Sequence, residues 1–375
     1  MSLFVPLFLT FYSLVHYYLY RKVSQAFSLS GKWRLVLALF LSSAVISPVL
    51  WRVLDRNGFV EISRPLALVS LLWMGFVIYF LLVGLIIDLY RRFHSPTPER
   101  AFFITLFLAL ILSAYSHAET YYLQVYRFTI ETPKLPEGRE IKILHISDMH
   151  LGPVMGEERI AMVDRVYREE KPDIIVATGD MVDGNMRGLD HLARKLANIN
   201  PPLGKFAVLG NHEFYVGHDQ AIDFLQRAGF RVLRGEITAV GGLLNIAGVD
   251  DPDGKRLGYE AFTDELAVLR NADTSKYTLL IKHRPEVRRE ALPYIDLVLA
   301  GHTHGGVLFF VGYTALRLLF ETDRGIKELA PGKFIAVSKG LGTGGPPMRL
   351  FSPPDVMIIT IRGQSPRPSP LRSPL

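Results

Sequence analysis

Apolar residues are distributed unevenly along the chain. Four long apolar runs occupy the first third, at about Leu3–Tyr20, Leu35–Trp51, Leu66–Leu89 and Ala101–Tyr122. Each is close to the roughly 20 residues that a helix needs to cross a hydrocarbon core. Four runs in succession, the first with no basic residue before it, exclude a cleaved leader and predict four membrane helices over residues 1–126. Tyr17, Tyr18, Tyr20, Tyr121, Tyr122 and Tyr126 fall at run ends, where amphipathic rings favour the interface. His16, Asp88, His117 and Glu119 lie in or beside the runs and are expected to reach towards that interface.

The pattern changes after a linker expected over 127–140. The stretches IKILHISD, DIIVATGD and KFAVLGNHE read as buried strands with polar ends, separated by amphipathic helices over 159–170 and 190–198. Strand and helix alternation predicts an α/β (α+β) domain over 141–362, with its chemistry at the C-terminal ends of strands. The Pro/Ser-rich end, 363–375, reads as disordered.

Charge follows the same division. The chain carries a formal net charge of +6, and its Lys and Arg sit largely at the ends of apolar runs and near the C-terminus. This distribution fits a membrane protein. No basic cluster interleaved with aromatics appears in the polar part, so no nucleic-acid partner is expected. Four crossings place the N-terminus and the polar domain on one side. The first and third connections carry Arg21, Lys22, Lys32, Arg34, Arg91, Arg92 and Arg100, against Arg52, Arg56 and Arg64 on the other side. The positive-inside rule then expects a multi-pass cytoplasmic (inner) membrane protein whose polar domain is extracytoplasmic. There are no cysteines, which excludes disulfides, thiolate metal sites and cysteine nucleophiles.

The polar strand ends share a vocabulary: Asp148-Met149-His150, Gly179-Asp180 with Asp183, Gly210-Asn211-His212-Glu213, His283 in IKHRP, and Gly301-His302-Thr303-His304. One such cluster is ordinarily a turn or a cap. Five in order, each after an apolar run, point to metal binding. Carboxylate, imidazole and amide oxygen suit Mn, Fe or Zn. Two such ions roughly 3.5–4 Å apart can clamp the attacking and leaving oxygens of a phosphoryl transfer. Glycines at these turns allow close backbone approach.

The order DxH, GDxxD, GNHE, H, GHxH resembles the calcineurin-like metallophosphoesterases over roughly 140–362. The tail SKGLGTGGPPMRLFSPPDVMIITI is similar to a bacterial branch containing YkuE and YaeI, and the helical anchor is similar to that of vertebrate transmembrane proteins with a metallophosphoesterase domain. The resemblance implies a four-layer αββα sandwich with two mixed sheets, and a metal-dependent phosphoric ester hydrolase holding two divalent metal ions. It implies one ion held by Asp148, His150 and His304, the other by Asn211, His283 and His302, with Asp180 bridging. His212 then acts on the substrate, oriented by Asp183. The substrate expected is a phosphate mono- or diester, lipid-linked or close to the lipid bilayer; a UDP-2,3-diacylglucosamine-type pyrophosphate is the alternative. A silent membrane scaffold is the non-enzyme reading, disfavoured by the complete ligand set.

Among the remaining residues, His145 reads as a core or rim histidine, and His191 and His218 as surface residues. Gly305, Gly306, Ser338, Lys339, Gly340 and Gly342 fit substrate-facing loops or ordinary turns. Arg349 fits a phosphate contact or a structural role equally well.

Overall fold

The computed structural model describes residues 4–306 and 318–364. It divides into two compact units, Met1–Tyr122 with Gly345–Phe351, and Leu123–Gly344 with Ser352–Leu375.

The first unit is helical. Helices α1 (Phe4–Ala26), α2 (Gly31–Arg56), α3 (Val60–Tyr90) and α4 (Pro98–Glu119) pack side by side. Three of them, α2, α3 and α4, are long and apolar enough to cross a membrane. The first apolar run also folds as a helix but falls outside that group, because His16, Tyr17, Tyr18, Tyr20, Arg21 and Lys22 dilute it. Side-chain pairs define its place. Tyr18 donates to Asp88 at 2.8 Å, and Lys22 pairs with the same carboxylate. Trp73 donates to His16 Nε2 at 2.9 Å, while Phe27 meets Phe102 and Phe103 edge-on. Contacts therefore advance together along α1 and α3, and the end of α1 meets the start of α4. His16 is 3% exposed, which overturns the expectation that it reaches for the interface: its Nδ1–H donates to Tyr12 O at 2.8 Å, leaving Nε2 to accept from Trp73. The segment 345–351 also belongs here. Met348 sits on Gly75, and Arg349 donates its amide to Ser116 O at 2.8 Å. Arg349 is 0% exposed, so its role is structural and it does not meet a phosphate.

The second unit begins earlier than the sequence suggests. Strand β1 (Gln124–Thr132) takes up the first part of the segment expected to be a linker and pairs in parallel with the last strand, β12 (Asp355–Gly363). Its polar outer positions hide it, since half of its residues face solvent on an edge strand. The chain then continues through β2 (Glu140–Ile146), α5 (Glu157–Glu170), β3 (Ile174–Ala177), α6 (Asp190–Ala197), β4 (Lys205–Ala207), α7 (Asn211–Val216), α8 (His218–Arg227) and β5 (Phe230–Val232). It goes on through β6 (Glu236–Val240), β7 (Leu244–Gly248), α9 (Asp253–Arg256), α10 (Glu265–Leu269), β8 (Tyr277–Ile281), β9 (Leu297–Ala300), β10 (Gly325–Ala330) and β11 (Lys333–Val337). Two six-stranded mixed sheets result, ordered β1-β12-β2-β3-β4-β5 and β10-β11-β9-β8-β7-β6.

Alternation along the strands builds the layers. Ile141, Ile143, Ile174 and Val176 of the first sheet share one core with Ile246, Leu279, Ile281, Leu297 and Leu299 of the second. The opposite faces turn outwards: Leu144, Ile146 and Ile175 pack against α5, α6 and α8, and Leu280, Val298 and Ile335 pack against α10 and the 3-10 turn at Arg289–Tyr294. This is the αββα sandwich. Helices α5 and α6 fall where the periodicity places them. Gly363 closes β12 and Gln364 N donates to Thr132 O at 2.9 Å, so the tail expected to be disordered from 363 is ordered at its first two residues; 365–375 lie outside the described residues.

Candidate metal centre

The parallel strands β2, β3 and β4 of the first sheet and β8 and β9 of the second deliver every expected ligand from the loop at their C-terminal end. Beyond β2 and β3 the two loops stay zipped: Asp148 N donates to Gly179 O, His150 N to Asp180 O and Leu151 N to Met181 O, at 2.9–3.0 Å. That ladder aims the side chains by forcing the backbone. Asp148, His150, Asp180, His302 and His304 all have φ between 48° and 71°, a left-handed conformation that costs a non-glycine residue about 1–3 kcal/mol. Two glycines make the approach possible. A Cβ on Gly210 would strike the Asp180 carboxylate, and one on Gly301 would strike Ser147 and Asp148.

Donor atoms gather at two adjacent points. At the first, His150 Nε2 lies 3.2 Å from His304 Nε2, and His304 Nε2 lies 3.4 Å from Asp148 Oδ1. At the second, His283 Nε2 lies 3.1 Å from Asn211 Oδ1 and 3.0 Å from His302 Nδ1. Asp180 Oδ2 serves both, 3.9 Å from His150 Nε2 and 3.3 Å from His283 Nε2. The groups Asp148-His150-His304 and Asp180-His283-His302 each have the compactness of a metal site. His283 Nδ1–H donates to Thr178 O at 2.8 Å, so Nε2 carries the lone pair that faces His302 Nδ1. Imidazole nitrogens and carboxylate oxygens gathered this closely fit divalent cations.

Burial raises Asp148 to about 6, with Asp180 adding to the rise. Burial opposes a charged ring at His283, but Asp180 and Asp148 outweigh it and raise that histidine to about 10. A proton and a metal ion therefore compete for the same Nε2.

His212 stands beside these points. Its ring lies 4.5 Å from that of His150, its amide donates to Asp180 Oδ1 at 2.8 Å, and its Nδ1 donates to Asp183 Oδ1 at 3.2 Å. Burial disfavours its charged form, yet Asp180 and Asp183 prevail and raise it to about 9. Its Nε2 edge is the one that faces Gly344.

Glu213 belongs to the site although no role was assigned to it from sequence. Fully buried, its carboxylate accepts from the amides of Asp180, Met181 and Gly210 at 2.7–2.8 Å, tying the Asp180 turn to the Asn211 turn. The signal was present in GNHE, because Glu213 stands at N3 of α7, where a carboxylate reaches back to cap the helix. Asp251, Asp253, Tyr215 and Arg284 were also passed over; VDDPD follows a strand but contains no histidine. Of the lesser residues, His145 is buried against Thr178 Oγ1 at 2.9 Å, and Gly340 lies on the Asp148 side chain. Lys339 is buried and donates to Gln124 at 2.9 Å. His191 is solvent-facing, whereas His218 is largely covered by Phe214 and Tyr259.

Known proteins similar to this chain include metallophosphoesterases. The sequence profile of the calcineurin-like phosphoesterases matches residues 141–306. An uncharacterized metallophosphoesterase of Aquifex aeolicus is 71% identical, over 69% of this chain and 99% of that protein. A Danio rerio transmembrane protein with metallophosphoesterase domain is 30% identical over 62% of this chain, which spans 56% of that protein's length. Among solved structures, a dimetal phosphatase from Danio rerio aligns with a TM-score of 0.38 and 13% identity, over 54% of this chain and 88% of that one.

Proposed function

We propose a reaction for this chain, which belongs to the calcineurin-like phosphoesterase family: hydrolysis of a phosphate mono- or diester that is lipid-linked or presented at a membrane surface. The observation that carries the reading is the convergence of Asp148, His150, His304, Asn211, His283 and His302 on two adjacent points that share Asp180. Mn, Fe or Zn held there supplies Lewis acidity and lowers the pKa of water enough to provide a nucleophile near neutral pH.

The chain's own residues do the rest. Asp180 balances charge between the two points. The Thr178 carbonyl fixes the His283 tautomer, and Glu213 holds the Asp180 and Asn211 turns in register. Asp183 holds His212 by Nδ1, so Nε2–H is free to steady a phosphoryl oxygen and pass its proton to the leaving oxygen.

The membrane part of the reading rests on the apolar helices and on a short connection. Only residues 120–123 separate α4 from β1, and four residues extend at most about 14 Å. A tethered site gains most from substrates concentrated in the same layer. The charge bias of the connections, seven basic residues against three with α1 counted as a fourth crossing, supports an extracytoplasmic site.

Full-length protein in mixed micelles is expected to hydrolyse a phosphate or pyrophosphate ester of a lipid faster than the same head group in soluble form. Equal rates sink the lipid assignment. A C-terminal alkaline phosphatase fusion is expected to be active and a C-terminal green fluorescent protein fusion dark. The reverse pair places the site in the cytosol and makes a nucleotide-linked lipid, such as a UDP-diacylglucosamine, the better substrate.

A further inference from the structure

After β7 the chain reads VDDPDGKR, and three of its carboxylates are buried: Asp250, Asp251 and Asp253. Asp250 is used structurally, holding Arg234 and the amide of Phe262. The other two lead to the metal centre. Asp251 donates its amide to Leu209 O at 3.1 Å, at the start of the GNHE turn. Its carboxylate takes Arg284 side-on, Nε at 2.8 Å and Nη2 at 3.0 Å, and Arg284 directly follows His283. Arg284 Nη2 also lies 3.0 Å from Asp253 Oδ1.

The second oxygen of Asp253 collects two further donors. Tyr215 OH donates to it at 2.5 Å and Arg256 Nη2 at 2.7 Å. Tyr215 stands three residues beyond His212 on α7, with the two rings 5.2 Å apart and tilted by 58°. Arg256 Nη2 is 3.5 Å from the Tyr215 hydroxyl. A continuous path of fixed side chains thus runs from His212 across the Tyr215 ring to Arg256.

Stability does not account for this arrangement. An i,i+3 pair whose arginine is 68% exposed contributes little to folding. What the pairing does is hold the planar guanidinium by Nη2 while most of the side chain stays exposed, so that its remaining N–H groups can meet a phosphate or carboxylate oxygen. It stands one ring's length from His212, across Tyr215. Tyr215, 44% exposed, supplies the wall between.

Resting on the hydrolase reading above, we propose that Arg256 and Tyr215, fixed by Asp253, form a subsite beside His212 for a second anionic group of the substrate. They are specificity-determining residues. The preferred substrate is accordingly a phosphoester with a further phosphate or carboxylate close to the bond that breaks.

Calorimetric titration of the Mn²⁺-loaded full-length protein with two non-hydrolysable probes tests the proposal without relying on turnover. Propane-1,3-bisphosphonate is expected to bind roughly tenfold or more tightly than propylphosphonate, the scale of one hydrogen bond to a charged group. In Arg256→Gln that ratio is expected to fall close to one. Arg256→Lys keeps the charge but loses the planar guanidinium, and Tyr215→Phe keeps the wall but removes the hydroxyl that shares Asp253 with Arg256, so both are expected to give intermediate ratios. Equal binding of the two probes by the wild type, or a ratio unchanged in Arg256→Gln, overturns the subsite. Absence of bis-p-nitrophenyl phosphate hydrolysis by the same preparation counts against the hydrolase reading and leaves the binding ratio to be judged on its own.

Discussion

Polar side chains do different work in the two units. In the helical unit they are sparse and spread along the bundle: His16 meets Trp73 and Tyr12, Ser47 meets Ser70 at 2.8 Å, and Asp88 meets Tyr18, Lys22 and Arg91. Each contact joins two points of the bundle and involves few other groups. In the second unit the polar groups are crowded, and one atom serves several partners. Asp180 alone meets His150, His283 and the amide of His212, on a backbone held at φ 51°. A contact of the first kind can be lost at local cost, whereas loss of the second kind disperses a whole cluster. The predictions below test that contrast, beginning with the group that has most partners.

Asp180→Asn should produce the largest effect. The amide keeps the shape but removes the charge shared by both donor clusters. Metal analysis of the purified full-length protein should show both ions weakened, with hydrolysis of bis-p-nitrophenyl phosphate lost in parallel. Normal metal content with normal turnover would end the bridging assignment.

His212→Gln comes next and should separate chemistry from metal binding. Loss of general acid–base assistance is expected to lower kcat by about 10²–10⁴-fold, while metal content stays near that of the wild type. Loss of metal together with activity would make His212 a ligand.

Glu213→Gln should be milder again. Glu213 touches no donor cluster directly but accepts from amides on both turns. Burial, with Asp180 adding to the rise, lifts its carboxyl to about 7, so the neutral isostere is tolerated in shape but accepts fewer amides. Outer-layer changes of this kind typically cost about 10–100-fold in metal affinity, and competition with a chelator would read that loss. An unchanged affinity would reduce Glu213 to a helix cap.

These residues also show where the sequence was readable. Asp148, His150, Asp180, Asn211, His283, His302 and His304 end apolar runs, and a buried strand that stops on a polar residue announces its own C-terminal edge. Glu213 and Asp253 have no such marker. Their roles depend on which amides and guanidinium groups the fold brings to them, and those partners are 30 or more residues away along the chain in the pairs Glu213–Asp180, Tyr215–Asp253 and Asp251–Arg284. Strand β1 escaped for another reason: an edge strand with exposed alternate positions reads as a polar linker until its partner β12 is known. The helical unit was legible in its spans because length and apolarity suffice. His16 was misjudged because nothing local announces that Trp73, 57 residues on, will meet it.

The smallest predicted effect tests that His16 contact. Trp73→Phe retains an aromatic ring among Phe40 and Phe76 and removes only the indole N–H. His16 Nε2 then faces an apolar interior without its donor, while Nδ1–H remains committed to Tyr12 O. Hydrogen bonds between helices in a bilayer average about 0.6 kcal/mol and rarely exceed about 1.7. A double-mutant cycle of Trp73→Phe with His16→Phe, followed by denaturing-detergent titration in lipid micelles, should therefore return a coupling of about 0.6 kcal/mol. Metal content in the second unit should be unaltered in all three variants. A coupling of zero would mean that α1 is not fastened to α3 at this point, and the even number of crossings used to place the site outside the cytoplasm would lose one of its supports. A coupling of several kcal/mol would show that the helical unit, like the metal centre, concentrates its stability in shared polar groups, and the contrast between the two units would fail.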